Sequence, residues 1–309
     1  MSAVSPHAAA DLTAPQGQRR WVEGVMHAIL WLCAAASVFT TVGIVLILLV
    51  ESLQFFGHVS IVEFLTGTTW TPHSNPPQFG ILPLFCGTVL VAGGSAAIAI
   101  PLGLGAAIYL SEYASPRMRD VLKPILEILA GIPSVVFGYL AIVFVSPIVR
   151  SIFPSADVFN ALNASIVVAI MILPMIVSLS EDTLRSVPRS LREGAYALGA
   201  TKLDVTVGVI LPAALSGIMA SFILAIARAV GETMAVALAA GKRPQMTLNP
   251  LDSIQTMTAY IVETSKGDNP QGTLGYQTIF AVGLTLFVCT LTLNVLAQWI
   301  LKRMREQYE

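Results

Sequence analysis

SVPRSLREGAYALGATKLDVTVGVILP, residues 186–212, is the stretch on which the fold turns. It lies between two long apolar runs, Val158–Ser180 and about Ala213–Ala240. The intervening residues, 181–212, are too many for a simple turn between helices. Ser190 is a capping residue type, and Glu193 three residues later completes a capping box. Gly199 follows Ala195, Tyr196 and Leu198, which form a compact apolar surface, and ends that helix as a C-cap residue. Thr201 then caps a second short helix with Asp204 in its first turn, where negative charge is favoured. Pro212 opens the next apolar run. The residues spell a helix–Gly–helix unit whose exposed small side chains admit the groove of a partner. On physical grounds alone, an interfacial hairpin lying on lipid headgroups fits the same residues.

On either side, charge-poor runs of the roughly 20 residues needed to cross a bilayer recur. They are 28–50, 81–110 (interrupted by Pro101), 124–149 (charge-free from Ile128), 158–180, 213–240 and 279–301. Hydrophobic residues make up 55% of the 309 and charged residues 11%. A soluble domain carries about 25% charged residues, so this composition excludes a soluble fold and predicts an all-α, polytopic membrane protein with six spans. Residues 1–27 form an N-terminal arm, its first part rich in Ala, Ser and Pro and expected to be disordered. Arg19 and Arg20 precede an apolar run longer than a signal peptide's, so the first span is expected to be retained.

Lys and Arg set the orientation. Twelve of the 17 fall on one side, in the arm, the second and fourth loops and the tail; Arg150, Lys242, Arg243 and Lys266 fall on the other. Both termini are therefore expected in the cytoplasm. The outer loop 51–80 lacks Lys and Arg, and its Thr71–Pro77 stretch reads as irregular. In the outer loop 241–278, Ile254, Met257, Ile261 and Val262 recur at helical spacing and predict a short amphipathic helix. Cys33, Cys86 and Cys289 sit in apolar runs, and the four histidines are scattered, so no metal site is expected. A net charge of −1 gives no sign of nucleic-acid binding. No G-x-x-x-x-G-K-[ST] loop and no catalytic triad pattern occurs, so the chain is expected to be no enzyme and to need no cofactor.

The run Glu193-Gly194-Ala195, then Gly199, then Val209-Ile210-Leu211-Pro212, resembles the EAA loop of type I ABC importer permeases. Gly194 and Val209 depart from that pattern but keep size or apolarity. The resemblance implies that Glu193, Gly194, Ala195, Gly199, Leu211 and Pro212 belong to the coupling helices that dock on an ATPase subunit, which uses the ATP. The fifth run reads Ala227-Arg228-Ala229-Val230-Gly231-Glu232-Thr233-Met234-Ala235-Val236, and the third holds Gly131-Ile132-Pro133-Ser134-Val135-Val136-Phe137-Gly138. Both resemble the PstC-type phosphate permeases, as do Phe64–Trp70 and Phe79–Pro83. Over about residues 28–305, the resemblance implies half of an inorganic phosphate path in a bacterial inner membrane. The implied partners are a PstA-type permease, a PstB-type ATPase dimer and a PstS-type binding protein.

Arg228 is costly within a span, by about 2.5–3.5 kcal/mol on insertion scales, and such residues face a polar interior. Its guanidinium offers five donors suited to phosphate oxygens. Glu232, four residues on, would share its helix face and hold it while the path is empty, or accept a hydrogen bond from a protonated phosphate. A structural ion pair locking two helices is the alternative. Ser134 follows Pro133 at a helix break that could line a path or be a packing kink. Glu112 and Glu127 read as interfacial carboxylates, and Gly93, Gly94 and Ala97 as helix-packing positions. A permease for molybdate or sulfate, a secondary transporter and a non-transporting scaffold remain as rivals.

Overall fold

The computed structural model describes residues 16–72, 74–267, 270 and 272–304. Two compact units are present, residues 1–50 and 51–309. The described part of the first is helix α1 (Gln16–Phe56), which continues into the second. The arm expected over 1–27 lies outside the described residues up to residue 15. From Gln16 it is helix instead of disordered chain, because no proline follows Pro15 there and Gln, Arg and Glu are good helix formers.

Six helical stretches are long and apolar enough to cross a membrane: Trp21–Phe56, Leu82–Tyr113, Ser134–Ile152, Ala161–Ser186, Lys202–Val230 and Leu274–Arg303. The number is the one expected, but several boundaries move for physical reasons. Pro101 does not interrupt α3 (Leu82–Ile108), which runs through it and ends in a π turn, Tyr109–Tyr113. The third span starts only at Ser134. Residues 124–130 belong to a separate helix, α4 (Pro116–Ala130), and Gly131-Ile132-Pro133 breaks the chain before α5 (Ser134–Leu140), a π turn and α6 (Ser146–Ile152). The fifth span ends at Val230 instead of about residue 240, as described below.

The fourth span, α7 (Ala161–Ser186), is the most enclosed of the six. It packs along α3 where small residues let the two backbones approach: Gly94 meets Ser165 and Gly103 meets Ile176. Gly93 faces open space. The first N–H groups of α7 need outside acceptors. Leu162 N donates to the Pro250 carbonyl at 2.7 Å and Ala161 N to that of Asp252 at 3.1 Å, while Asn160 caps Asn163 N.

One end of the 51–309 unit is aromatic. Helix α2 (Ile61–Thr66) leads into an antiparallel pair, β1 (Trp70–Thr71) and β2 (Gln78–Phe79), so Thr71 is strand where irregular chain was expected. A Cβ on Gly80 would overlap the carbonyl carbon of Gly67, so this crossing requires glycine. Phe55, Phe64, Trp70 and Phe79 meet edge to face, and Tyr260 stands against Trp70 with ring centroids 5.0 Å apart. Tyr260 belongs to α12 (Met257–Lys266), capped by Thr256; burial pushes its hydroxyl pKa up. Ile254 lies before that helix, outside any helix or strand, yet is buried.

The opposite end is basic. It carries α4, then α8 (Arg189–Ala197) and α9 (Lys202–Val205), which continues through a π turn, Thr206–Ile210, into α10 (Leu211–Val230). Pro212 lacks an N–H and would clash with the carbonyl four residues back; the wider π turn just before it keeps the helix continuous. Thus Pro212 lies inside a helix that starts at Lys202, not at the start of the span. Beyond it come α11 (Met234–Ala239) and the final helix, α13 (Leu274–Met304).

Candidate functional site

The hairpin of α8 and α9 is built by local rules, with one exception. Ser190 does not cap α8. Pro188, extended at ψ 139°, is the N-cap, so the helix begins at Arg189, Ser190 sits within its first turn, and the box with Glu193 is not made. At the other end Gly199 has φ +85°, its N–H donates to the Tyr196 carbonyl, and Ala200 N–H donates to that of Ala195. Those two bonds are the Schellman closure. Thr201 and Asp204 then form a complete capping box. Ala195 is half-buried against the inner cluster that holds Val205 and Ile210, whereas Tyr196, Leu198 and Leu203 are exposed, Leu198 at 90%. Glu193 and Gly194 are exposed beside them, with open space where a Gly194 Cβ would stand. Leu211 is half-buried against the inner cluster.

Charge fastens this hairpin to the spans. Arg192 donates from Nη1 to both oxygens of Glu112, at 2.8 and 2.7 Å, and from Nη2 to the Leu184 carbonyl at 2.6 Å. Glu112, expected to be interfacial, keeps only 6% of its side chain exposed. Glu181 is 2% exposed and pairs with Arg119 at 2.6 Å, Lys123 at 3.2 Å and Arg185 at 3.5 Å, joining α4 to α7. Burial lowers the Lys123 pKa, but its hydrogen bonds with Asp182 and Glu181 outweigh that and hold it above the usual lysine range. Lys202 sits over the Tyr113 ring, 4.7 Å from its centroid.

The helix break that follows Val230 separates Arg228 from Glu232. Gly231 ends α10, and Glu232 turns its carboxylate forward to accept a hydrogen bond from Ala235 N at 3.2 Å, capping α11. The carbonyl of Glu232, released by the break, accepts from the Thr258 hydroxyl at 2.8 Å. The shared helix face and the ion pair expected from an i, i+4 spacing are therefore not formed. The Arg228 side chain makes no hydrogen bond or ion pair among the described residues. It lines a cleft of about 170 Å³ together with Lys123, Glu127, Met171, Ser178 and Glu181. Ser134 opens α5 after the other break and is half-buried, but does not line that cleft. The two breaks are linked by packing, since Gly138 of α5 seats against Ala235 and Leu238 of α11. Among the described residues no group of His, Cys, Asp and Glu could hold a metal ion.

Residues 99–306 match the family described as the inner membrane component of binding-protein-dependent transport systems. The chain belongs to this family. It is a binding-protein-dependent transport permease and hence a multi-pass membrane protein. Among relatives, it is 37% identical to the probable ABC transporter permease protein YqgH of Bacillus subtilis, over 88% of each chain. It is 33% identical to the phosphate transport system permease protein PstC of Mesorhizobium japonicum, over 82% of this chain and 81% of the relative. A bacterial ABC transporter involved in import of the acidic polysaccharide alginate shares the fold, with a TM-score of 0.64 over 93% of this chain and 100% of that one, at 15% identity.

For such a permease, the sequence reading missed the joints between α8 and the end of α3 and between α4 and α7. Glu112 and Arg192 are 80 residues apart, and Lys123 and Glu181 are 58 apart. No local pattern connects them. One signal was present: in an otherwise apolar chain, each carboxylate beside a span demands a counter-charge.

Proposed function

We propose that this chain is the PstC-type half of an ATP-driven, binding-protein-dependent importer of inorganic phosphate. The observation that carries the proposal is Arg228: a guanidinium on a membrane-spanning helix, without a partner among the described residues, on a cleft. Such a charge is stable in a membrane only where water or an anion meets it. Arg also suits phosphate better than Lys, because its donors engage two oxygens at once. The phosphate permease relatives support the same substrate.

In this reading a PstA-type permease completes the path, a PstB-type ATPase dimer binds inside and a PstS-type protein delivers phosphate outside. The excess of Lys and Arg on the hairpin's side supports a cytoplasmic position for that side and for both termini, and the bacterial relatives support a bacterial membrane. Glu193, Gly194 and Gly199 present the docking surface, Ala195 supports it from beneath, and Leu211 and Pro212 carry its motion into α10. The chain itself hydrolyses nothing. Glu232 and Ser134 shape the path by fixing the two helix breaks, whose free backbone groups need polar surroundings.

The test is labelled-phosphate uptake into proteoliposomes holding the two permeases and the ATPase, with ATP inside and binding protein outside. Uptake should require both and resist sulfate and molybdate. Arg228→Gln should abolish it while the complex still assembles and hydrolyses ATP. Normal uptake by that variant would end the role given to Arg228, and competition by sulfate or molybdate would reassign the substrate.

A further inference from the structure

We infer that Glu127 is a specificity-determining residue, the group that recognises the proton on the transported phosphate. The inference rests on phosphate passing Arg228. Arg228 and Glu127 line the same cleft of about 170 Å³, yet neither side chain makes a hydrogen bond or ion pair among the described residues. Opposite charges that share a small cleft without joining leave room for something that joins them. A ligand bridging the two must offer oxyanion oxygens to the guanidinium and an O–H donor to the carboxylate, which when ionised only accepts.

Phosphate at neutral pH meets both demands. Its monoanion and its dianion each keep at least one P–OH. Sulfate meets only the first: fully deprotonated, it sets an oxygen against the Glu127 carboxylate, acceptor against acceptor. The other carboxylates near the path are engaged. Glu181, on the same cleft, is surrounded by Arg119, Lys123 and Arg185. Glu232 caps α11 through Ala235 N. Glu127 sits one turn before the end of α4, so the Gly131-Ile132-Pro133 break that ends that helix also fixes where its carboxylate stands.

Binding of labelled phosphate and labelled sulfate tests this, measured on the assembled complex of both permeases and the ATPase in nanodiscs. Omitting the binding protein removes its own selectivity from the result. The wild-type complex should prefer phosphate. Glu127→Gln, which can donate as well as accept, should reduce that preference at least about tenfold, the value of one hydrogen bond to a charged group. Glu127→Asp should keep it, since the carboxylate remains. A wild-type preference retained in Glu127→Gln, its loss in Glu127→Asp as well, or no phosphate binding by the wild-type complex would each overturn the inference. The underlying reading fails separately: phosphate binding unchanged in Arg228→Gln removes the path past Arg228, whatever Glu127 does.

Discussion

At the aromatic end of the 51–309 unit, Phe55, Phe64, Trp70, Phe79 and Tyr260 meet edge to face around a glycine crossing. At the basic end, two buried carboxylates, Glu112 and Glu181, hold four cations, Arg192, Arg119, Lys123 and Arg185. The two constructions fail differently. Ring packing draws most of its strength from buried area and falls by the area and cavity lost. A buried ion pair is directional, and losing one member strands the other in a site that disfavours charge. The aromatic end therefore tolerates no small replacement, whereas the basic end tolerates loss of charge if both signs leave together.

The largest effect is expected at Trp70, 2% exposed: Trp70→Ala should cost about 3–5 kcal/mol. Thermal unfolding of the purified protein in detergent should show a large drop in apparent Tm that no second substitution among the neighbouring rings restores. Next is Arg192→Gln, which strands Glu112 and should cost about 3 kcal/mol. The decisive measurement is the double variant with Glu112→Gln, which should recover at least half of that loss. Equal destabilisation in the single and double variants would erase the contrast between the ends. Gly199→Val should cost about 1–2 kcal/mol, because a β-branched residue is strained at φ +85°. That loss should appear as weaker co-purification of the ATPase with little change in Tm, since the cap lies on the exposed hairpin. The smallest effect belongs to Lys242, whose ion pair with Glu263 is 70% and 41% exposed. Lys242→Ala should cost less than about 1 kcal/mol, and any loss should vanish in high salt.

What was legible in the sequence follows from range. Gly199, Thr201 and Asp204 act on backbone groups within a few residues, and all three take the roles their types and spacing imply. Six apolar stretches were legible because lipid demands continuous apolar length. Ser190 failed by a matter of position, since Pro188 starts α8 two residues too early for a serine cap. Glu232 failed because the i, i+4 rule presumes a helix, and Gly231 ends it. Gly231-Glu232-Thr233 carries its own signal, a helix-ending glycine followed by a carboxylate able to accept from the first N–H groups of the next helix. Glu127 reads as interfacial from its place near the end of an apolar run; Arg228, which lines the same cleft, lies 101 residues away, on α10. Pairings at that range are set by tertiary packing and leave no mark on spacing.

The unbroken helix from Lys202 to Val230 has a mechanical consequence. Its 29 residues make a strut of about 43 Å at 1.5 Å per residue, with Thr201 at one tip and Arg228 near the other. A strut of that length pivoting near one tip through only about 5° carries the other through roughly 4 Å, more than a hydrogen bond's length. Push applied at the hairpin thus reaches the guanidinium with no joint between them to absorb the stroke, and the first hinge on that line is Gly231, just past the charge.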